Sequence, residues 1–193
     1  MNWVKATICL FHLKTGLENF VKNGICEVHE QILSKIAKDI GLPNNSKPHC
    51  DQCTTNNVTP CFSRHKICRY DQLGNCKYHD PARPETSKRN CPNNICHRIA
   101  PELKRLHSSR APHYMSTDAT KWCAQPLELA KCFLVTEGYK TVDSIDDIDC
   151  AGLLTIIESC KHFEQKVDDI FVFQKVCMFV LRNFIHLMFK IAY

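Results

Sequence analysis

Seven of the chain's 14 cysteines and four of its ten histidines fall between His49 and His97, with almost no apolar residues among them. Thiolate and imidazole are the ligands that soft and borderline metal ions choose, and a segment this polar cannot close a hydrophobic core of its own. The spacings are those of half-sites: Cys50-x2-Cys53, Cys76-x2-His79 and Cys91-x4-Cys96, with Cys61 and Cys68 between them. A loop of two to four residues lets two side chains reach one tetrahedral ion. Cys50, Cys53, Cys61, Cys68, Cys76, His79, Cys91 and Cys96 suffice for two structural zinc ions. Disulfides, or a thiol-rich loop with no cross-link, are the competing readings. Spacing and compartment favour zinc, but which cysteine partners which stays open.

The compartment follows from the rest of the chain. The start, MNWVKATICLFHLKTG, is a poor signal peptide, with a short apolar run interrupted by His12 and no small-residue cleavage site. Cys9, Cys26, Cys132, Cys150, Cys160 and Cys177 sit in apolar, helix-like contexts, as small buried hydrophobes do in a reducing cell. An intracellular protein, cytoplasmic or nuclear, is expected. A redox or secreted disulfide protein is the alternative.

Charge is uneven. The chain carries a net +5, yet Lys47 to Arg110 holds twelve Lys and Arg against five Asp and Glu, leaving the remainder slightly acidic. A basic, metal-held segment suits RNA phosphates; a solvated face that keeps a thiolate cluster soluble is the plainer reading. No Gly-rich phosphate loop, nucleophile elbow or H-E-x-x-H is present. Catalytic zinc needs an open position beside a general base, and Glu85 is the lone glutamate of the Cys/His segment, so the sites read as structural. Arg182 and His186, at i and i+4, would share a helix face and could act on an RNA phosphate; they serve equally as the polar edge of an apolar helix.

The elements that hold this segment are helical. Residues 2–40 read as one long helix or two consecutive ones: Trp3, Ala6, Leu10, Leu13, Leu17, Phe20 and Val21 draw one apolar stripe, Asn23-Gly24 suggests a break, and Ile25 to Ile36 resumes the period up to Gly41-Leu42-Pro43. After the insert, Ile99, Leu103 and Leu106 predict a short helix. Ala111 to Trp122 reads as a loop anchored by its aromatics, with Cys123 beside it as a further candidate ligand. Pro126 opens a helix burying Leu127, Ala130, Phe133 and Leu134 and ending at Gly138. Asp143 to Asp149 is an acidic spacer without the glycine and closing glutamate of a calcium loop, and it precedes a helix running to about Phe163. The stretch 167–193 is apolar nearly all round, but Gln174, Lys175, Arg182, Asn183, His186 and Lys190 interrupt every window long enough to span a bilayer. A buried final helix is expected, or an adhesive surface for a dimer or protein partner, and no membrane role.

Asn2-Trp3-Val4-Lys5-Ala6 with Cys9-Leu10, Leu127-Glu128-Leu129-Ala130-Lys131, and Gly152-Leu153-Leu154 through Ser159-Cys160-Lys161-His162-Phe163 carry a family likeness. The chain resembles an uncharacterised animal family typified by the human chromosome X open reading frame 38 protein, and more distantly the HEPN helical domains. The resemblance implies an all-α, HEPN-like bundle and longer chains at both ends. It also implies a late helix carrying Arg-x4–6-His, the motif of metal-independent HEPN ribonucleases. Arg182 and His186 are separated by three residues, which departs from that pattern. The expected organisation is bundle helices in 1–42, an inserted irregular Cys/His zinc segment in 43–98, and the remaining helices with an atypical tail in 99–193. The expected function is a zinc-stabilised, non-catalytic module for RNA or a protein partner, in nucleic-acid sensing or defence.

Overall fold

The structure, a computed structural model, describes residues 2–43, 46–58, 91, 94–135 and 137–167. Its spine is a single helix, α1 (Asn2–Asp39), of 38 residues, about 57 Å at the usual rise. Leu17, Val21, Ile25, Val28, Ile32, Leu33 and Ile36 recur at helical spacing and are all buried. Later helices gather on the second half of that stripe, which is the buried part of the spine. The first half carries less: Val4, Ile8 and Phe11 are exposed.

No break occurs at Asn23-Gly24, and the reason is packing. Gly24 is where the Phe163 ring crosses the helix; a Cβ there would lie 2.6 Å from Cζ and closer still to Cε1. The glycine makes room for a ring and leaves the helix intact. The stop at Gly41 is as the sequence suggests. Gly41 takes φ +68°, its N–H donates to Lys38 O at 3.2 Å, and the Leu42 N–H donates to Ala37 O at 2.9 Å. That pair of bonds satisfies carbonyls the last turn would otherwise leave open.

Among the described residues five shorter helices follow: α2 (Thr55–Val58), α3 (Cys96–Leu106), α4 (Pro126–Ala130), α5 (Cys150–Ser159) and α6 (Lys161–Glu164), with loops and 3-10 turns beside them. α3, α4, α5 and α6 all pack on α1. Ion pairs border these contacts: Glu102 of α3 receives Lys35, Arg98 lies 3.8 Å from Asp39, and Glu27 receives His162 at 3.2 Å together with Lys166. Among the described residues there is no strand, only a bridge between His107 and Cys160. The fold class is all-α, as expected.

Two helices are shorter than their sequence pattern. The one opened by Pro126 passes into a 3-10 turn at Lys131–Phe133, and Leu134 is extended. Lys131 accounts for the change: its amine is buried, 2.9 Å from Glu128 Oε1 and 3.3 Å from Lys140 O, which draws the following turn over it. The later helix stops at Ser159, because Cys160 turns extended to pair with His107 while the Ser108 N–H donates to Ser159 O at 2.8 Å. The acidic spacer has a capping role. Asp149 Oδ1 accepts the Gly152 N–H at 2.7 Å and the Tyr139 hydroxyl at 2.9 Å, closing the N-terminus of α5.

Candidate metal centre

Cys50, Cys53, Cys91 and Cys96 converge, with all four sulfurs within 4.8 Å of one another and all four residues buried. Cys50 Sγ lies 3.6 Å from Cys53 Sγ and 3.8 Å from Cys91 Sγ. Four thiolates placed tetrahedrally about zinc at a Zn–S bond of about 2.3 Å stand about 3.8 Å apart. The spacing is therefore that of a ligand cage. It is far longer than a sulfur–sulfur bond of about 2.05 Å, and Cys50, Cys53, Cys91 and Cys96 are all free thiols. The donor set fits a structural zinc ion: four sulfurs, closed to solvent, with no position left for water or substrate.

Local structure brings each sulfur in. Cys50 and Cys53 sit on the irregular stretch 46–54 that leads into α2. Thr55, at the start of α2, donates to Thr117 O at 2.9 Å and accepts the Ala119 N–H at 3.4 Å, tying this stretch to the loop before α4. The Asn94 N–H donates to Cys91 O at 2.9 Å, and Asn94 adopts φ +56°, a conformation asparagine tolerates well. Cys96 is the first residue of α3, where the helix dipole favours a negative sulfur.

Without metal the cage resists ionisation. Burial first, then hydrogen bonds from Cys91 and Cys50, push the Cys53 thiol far up. Cys96 is pushed further, first by its hydrogen bond with Cys123, then by burial and the neighbouring sulfurs. A divalent cation reverses this balance, because the like charges that repel one another become its ligands.

Cys123 is a fifth sulfur at the edge of the cage. It shares a hydrogen bond with Cys96 and takes one from the Cys50 backbone, which lower its thiol to about 7 despite burial. Its position is fixed through Trp122, which is fully buried. The Trp122 indole N–H donates to Thr117 Oγ1 at 2.8 Å, and Trp122 O accepts from His29 Nε2 at 3.0 Å. Thr117 in turn donates to Glu128 O at 2.6 Å, while Glu128 Oε2 accepts the Asp118 N–H at 2.7 Å. The sequence marks Cys123 only as a cysteine beside a tryptophan; its nearness to Cys96 is a tertiary fact.

Of the eight sequence-derived ligands, the structure joins Cys50, Cys53, Cys91 and Cys96. Cys61, Cys68, Cys76 and His79 lie outside the described residues, as do Arg182 and His186. Among the described residues no other set of three or more potential ligands is close enough to share an ion. No described helix is long and apolar enough to cross a membrane.

Fold and site together define a helical protein built on one long helix, with a buried four-cysteine group able to hold a metal ion. The chain belongs to the family described as "Domain of unknown function (DUF4559)", whose model matches residues 61–188. Cys91 and Cys96 fall inside that stretch, and Cys50 and Cys53 before it. The chain is also 25% identical, over 164 residues, to a mouse (Mus musculus) protein named "Uncharacterized protein CXorf38 homolog". That match covers 84% of this chain and 41% of the relative, so the chain spans about two-fifths of the relative's length. No solved structure matches the chain.

Proposed function

We propose that the protein is a non-catalytic binding module in which Cys50, Cys53, Cys91 and Cys96 hold a structural zinc ion, and that it presents the basic 47–110 stretch to RNA. The observation that carries this reading is the closed, buried tetrad, with sulfur separations of 3.6 and 3.8 Å. A site with four protein ligands and no open position stabilises structure and does not activate water. Maintaining four free thiols together calls for a reducing compartment, which supports a cytoplasmic or nuclear location. Lys47, Lys104 and Arg110 are exposed on either side of the tetrad in sequence, and twelve basic residues against five acidic ones give the stretch its excess charge.

Two measurements on the full chain test the reading. Protein purified without added metal should carry tightly bound zinc, and its tetrad thiols should react with a thiol reagent only after chelation. Single-stranded RNA should then bind with an affinity that falls steeply with salt, by a log–log slope of about 0.7 per phosphate neutralised. Absence of metal would remove the module. Zinc with a salt-insensitive interaction would replace RNA with a protein partner, a reading favoured by the exposed Val4, Ile8 and Phe11 on the first half of α1.

A further inference from the structure

Cys123 is a sulfur that the cage does not use. Cys50, Cys53, Cys91 and Cys96 form the group whose sulfurs all lie within 4.8 Å of one another. Cys123 stands outside that group, yet its sulfur touches two of the group's members. It shares a hydrogen bond with the Cys96 sulfur and accepts the Cys50 backbone N–H. A cysteine that only fills space in a core needs no polar neighbour at its sulfur.

Each of the two touching thiols is anchored by contacts of its own. Cys123 follows Trp122, which is fully buried and held through its indole N–H by Thr117. The Ala124 and Gln125 N–H groups donate to Lys121 O at 3.0 and 2.8 Å, closing a turn around Cys123. Cys96 is the first residue of α3, whose Ile99 and Leu103 are fully buried.

We propose that Cys123 is an oxidation site, and that peroxide joins it to Cys96 as a disulfide, taking one ligand from the tetrad and releasing the metal. The release rests on the zinc reading above. With zinc bound, the ion shares the charge of the four ligand sulfurs, and Cys123 is the unliganded thiol among the five. Cys123 is also 8% exposed where Cys96 is 0%, which sets the order of events. Cys123 Sγ gives up its proton and attacks one oxygen of hydrogen peroxide. The S–O bond forms, the O–O bond breaks, and the departing hydroxide takes up a proton as water. Cys96 Sγ then leaves the ion and attacks the Cys123 sulfur. The S–S bond forms, the S–O bond breaks, and a second hydroxide leaves and is protonated by solvent. The two sulfurs together lose two electrons, and the peroxide is reduced to two waters. Cys50, Cys53 and Cys91 remain, and three sulfurs no longer make a closed site. A thiol reductant reverses the change.

The test exposes the full chain, loaded with zinc and freed of excess, to hydrogen peroxide beside a zinc-responsive dye too weak to strip the intact site. Disulfides are mapped by mass spectrometry of alkylated peptides. Zinc release, a peptide pair joined through Cys96 and Cys123, and renewed zinc binding after dithiothreitol are expected. Cys123→Ser should keep its zinc and release it about tenfold or more slowly under peroxide. A disulfide confined to Cys50, Cys53, Cys91 and Cys96 would overturn the proposal. So would release from Cys123→Ser at the rate of the unaltered chain, or loss of its zinc before any oxidant is added. Zinc content measured before oxidation keeps the two readings apart: a chain without zinc overturns the metal reading and with it the release, while the peptide map still decides whether Cys96 and Cys123 pair.

Discussion

Removing the proposed metal should cost this protein a large part of its stability, and the cost should depend on pH with a known sign. An ion that binds the folded state alone stabilises it by RT ln(1 + [M]/Kd), about 4 kcal/mol when free metal exceeds Kd a thousandfold. For a chain of this length each kcal/mol moves Tm by about 2–4 °C, so chelation should lower Tm by about 8–16 °C. Cys53 and Cys96 supply the pH dependence. In the metal-free fold both thiols are raised above the ordinary cysteine value, Cys53 chiefly by burial and Cys96 chiefly by its bond with Cys123. Both are therefore protonated from pH 6 to 8 and must lose their protons to bind metal. Metal-linked stability thus rises with pH across that window and is lost as pH falls. Zinc titration into the apo protein, in two buffers of different ionisation enthalpy at pH 7, should show release of at least two protons per ion. Release of fewer than two, or a Tm indifferent to chelator, would refute the tetrathiolate.

Two further expectations concern the scaffold. Gly24→Ala should gain about 1 kcal/mol of helix propensity and lose about 1–3 kcal/mol to overpacking against the buried Phe163 ring. A net loss in urea denaturation, relieved when Phe163→Leu is added, is the expected result; a stabilised single variant would disprove the contact. Glu128 and Lys131 form an ion pair with side chains 4% and 3% exposed, so Glu128→Ala should cost about 3–5 kcal/mol by stranding the lysine. Combining it with Lys131→Met should recover part of that loss, and a single-variant cost below 1 kcal/mol would show that the pair is not isolated from water.

What was legible in the sequence divides by range. The Leu17–Ile36 part of the α1 stripe, the Gly41 stop, the Ile99–Leu103–Leu106 face and the proline opening of α4 are local patterns, and each lies where its period or turn chemistry places it. Gly24 misleads because its reason is a ring 139 residues later in the chain. The same limit governs the site. Cys50-x2-Cys53 and Cys91-x4-Cys96 are visible as half-sites, but the choice of partner, out of eight candidate ligands, belongs to the fold. So does the approach of Cys123, set by a buried tryptophan, a threonine and an ion pair with no cysteine in them.

The pairing of those two half-sites has a consequence for everything between them. Cys53 and Cys91 bound to one ion would bring together the ends of the polar stretch they enclose. Closing a loop costs free energy that grows only as about (3/2)RT ln n, so doubling its length adds about 0.6 kcal/mol. Once a metal supplies the closure, the enclosed residues need not contribute a hydrophobic core, and neither their number nor their polarity is constrained by packing at the ends. Their composition is then free to answer a different demand. The excess of positive charge is the property this chain has placed there, so for the proposed RNA binding a salt dependence, more than any stability measurement, is the discriminating test.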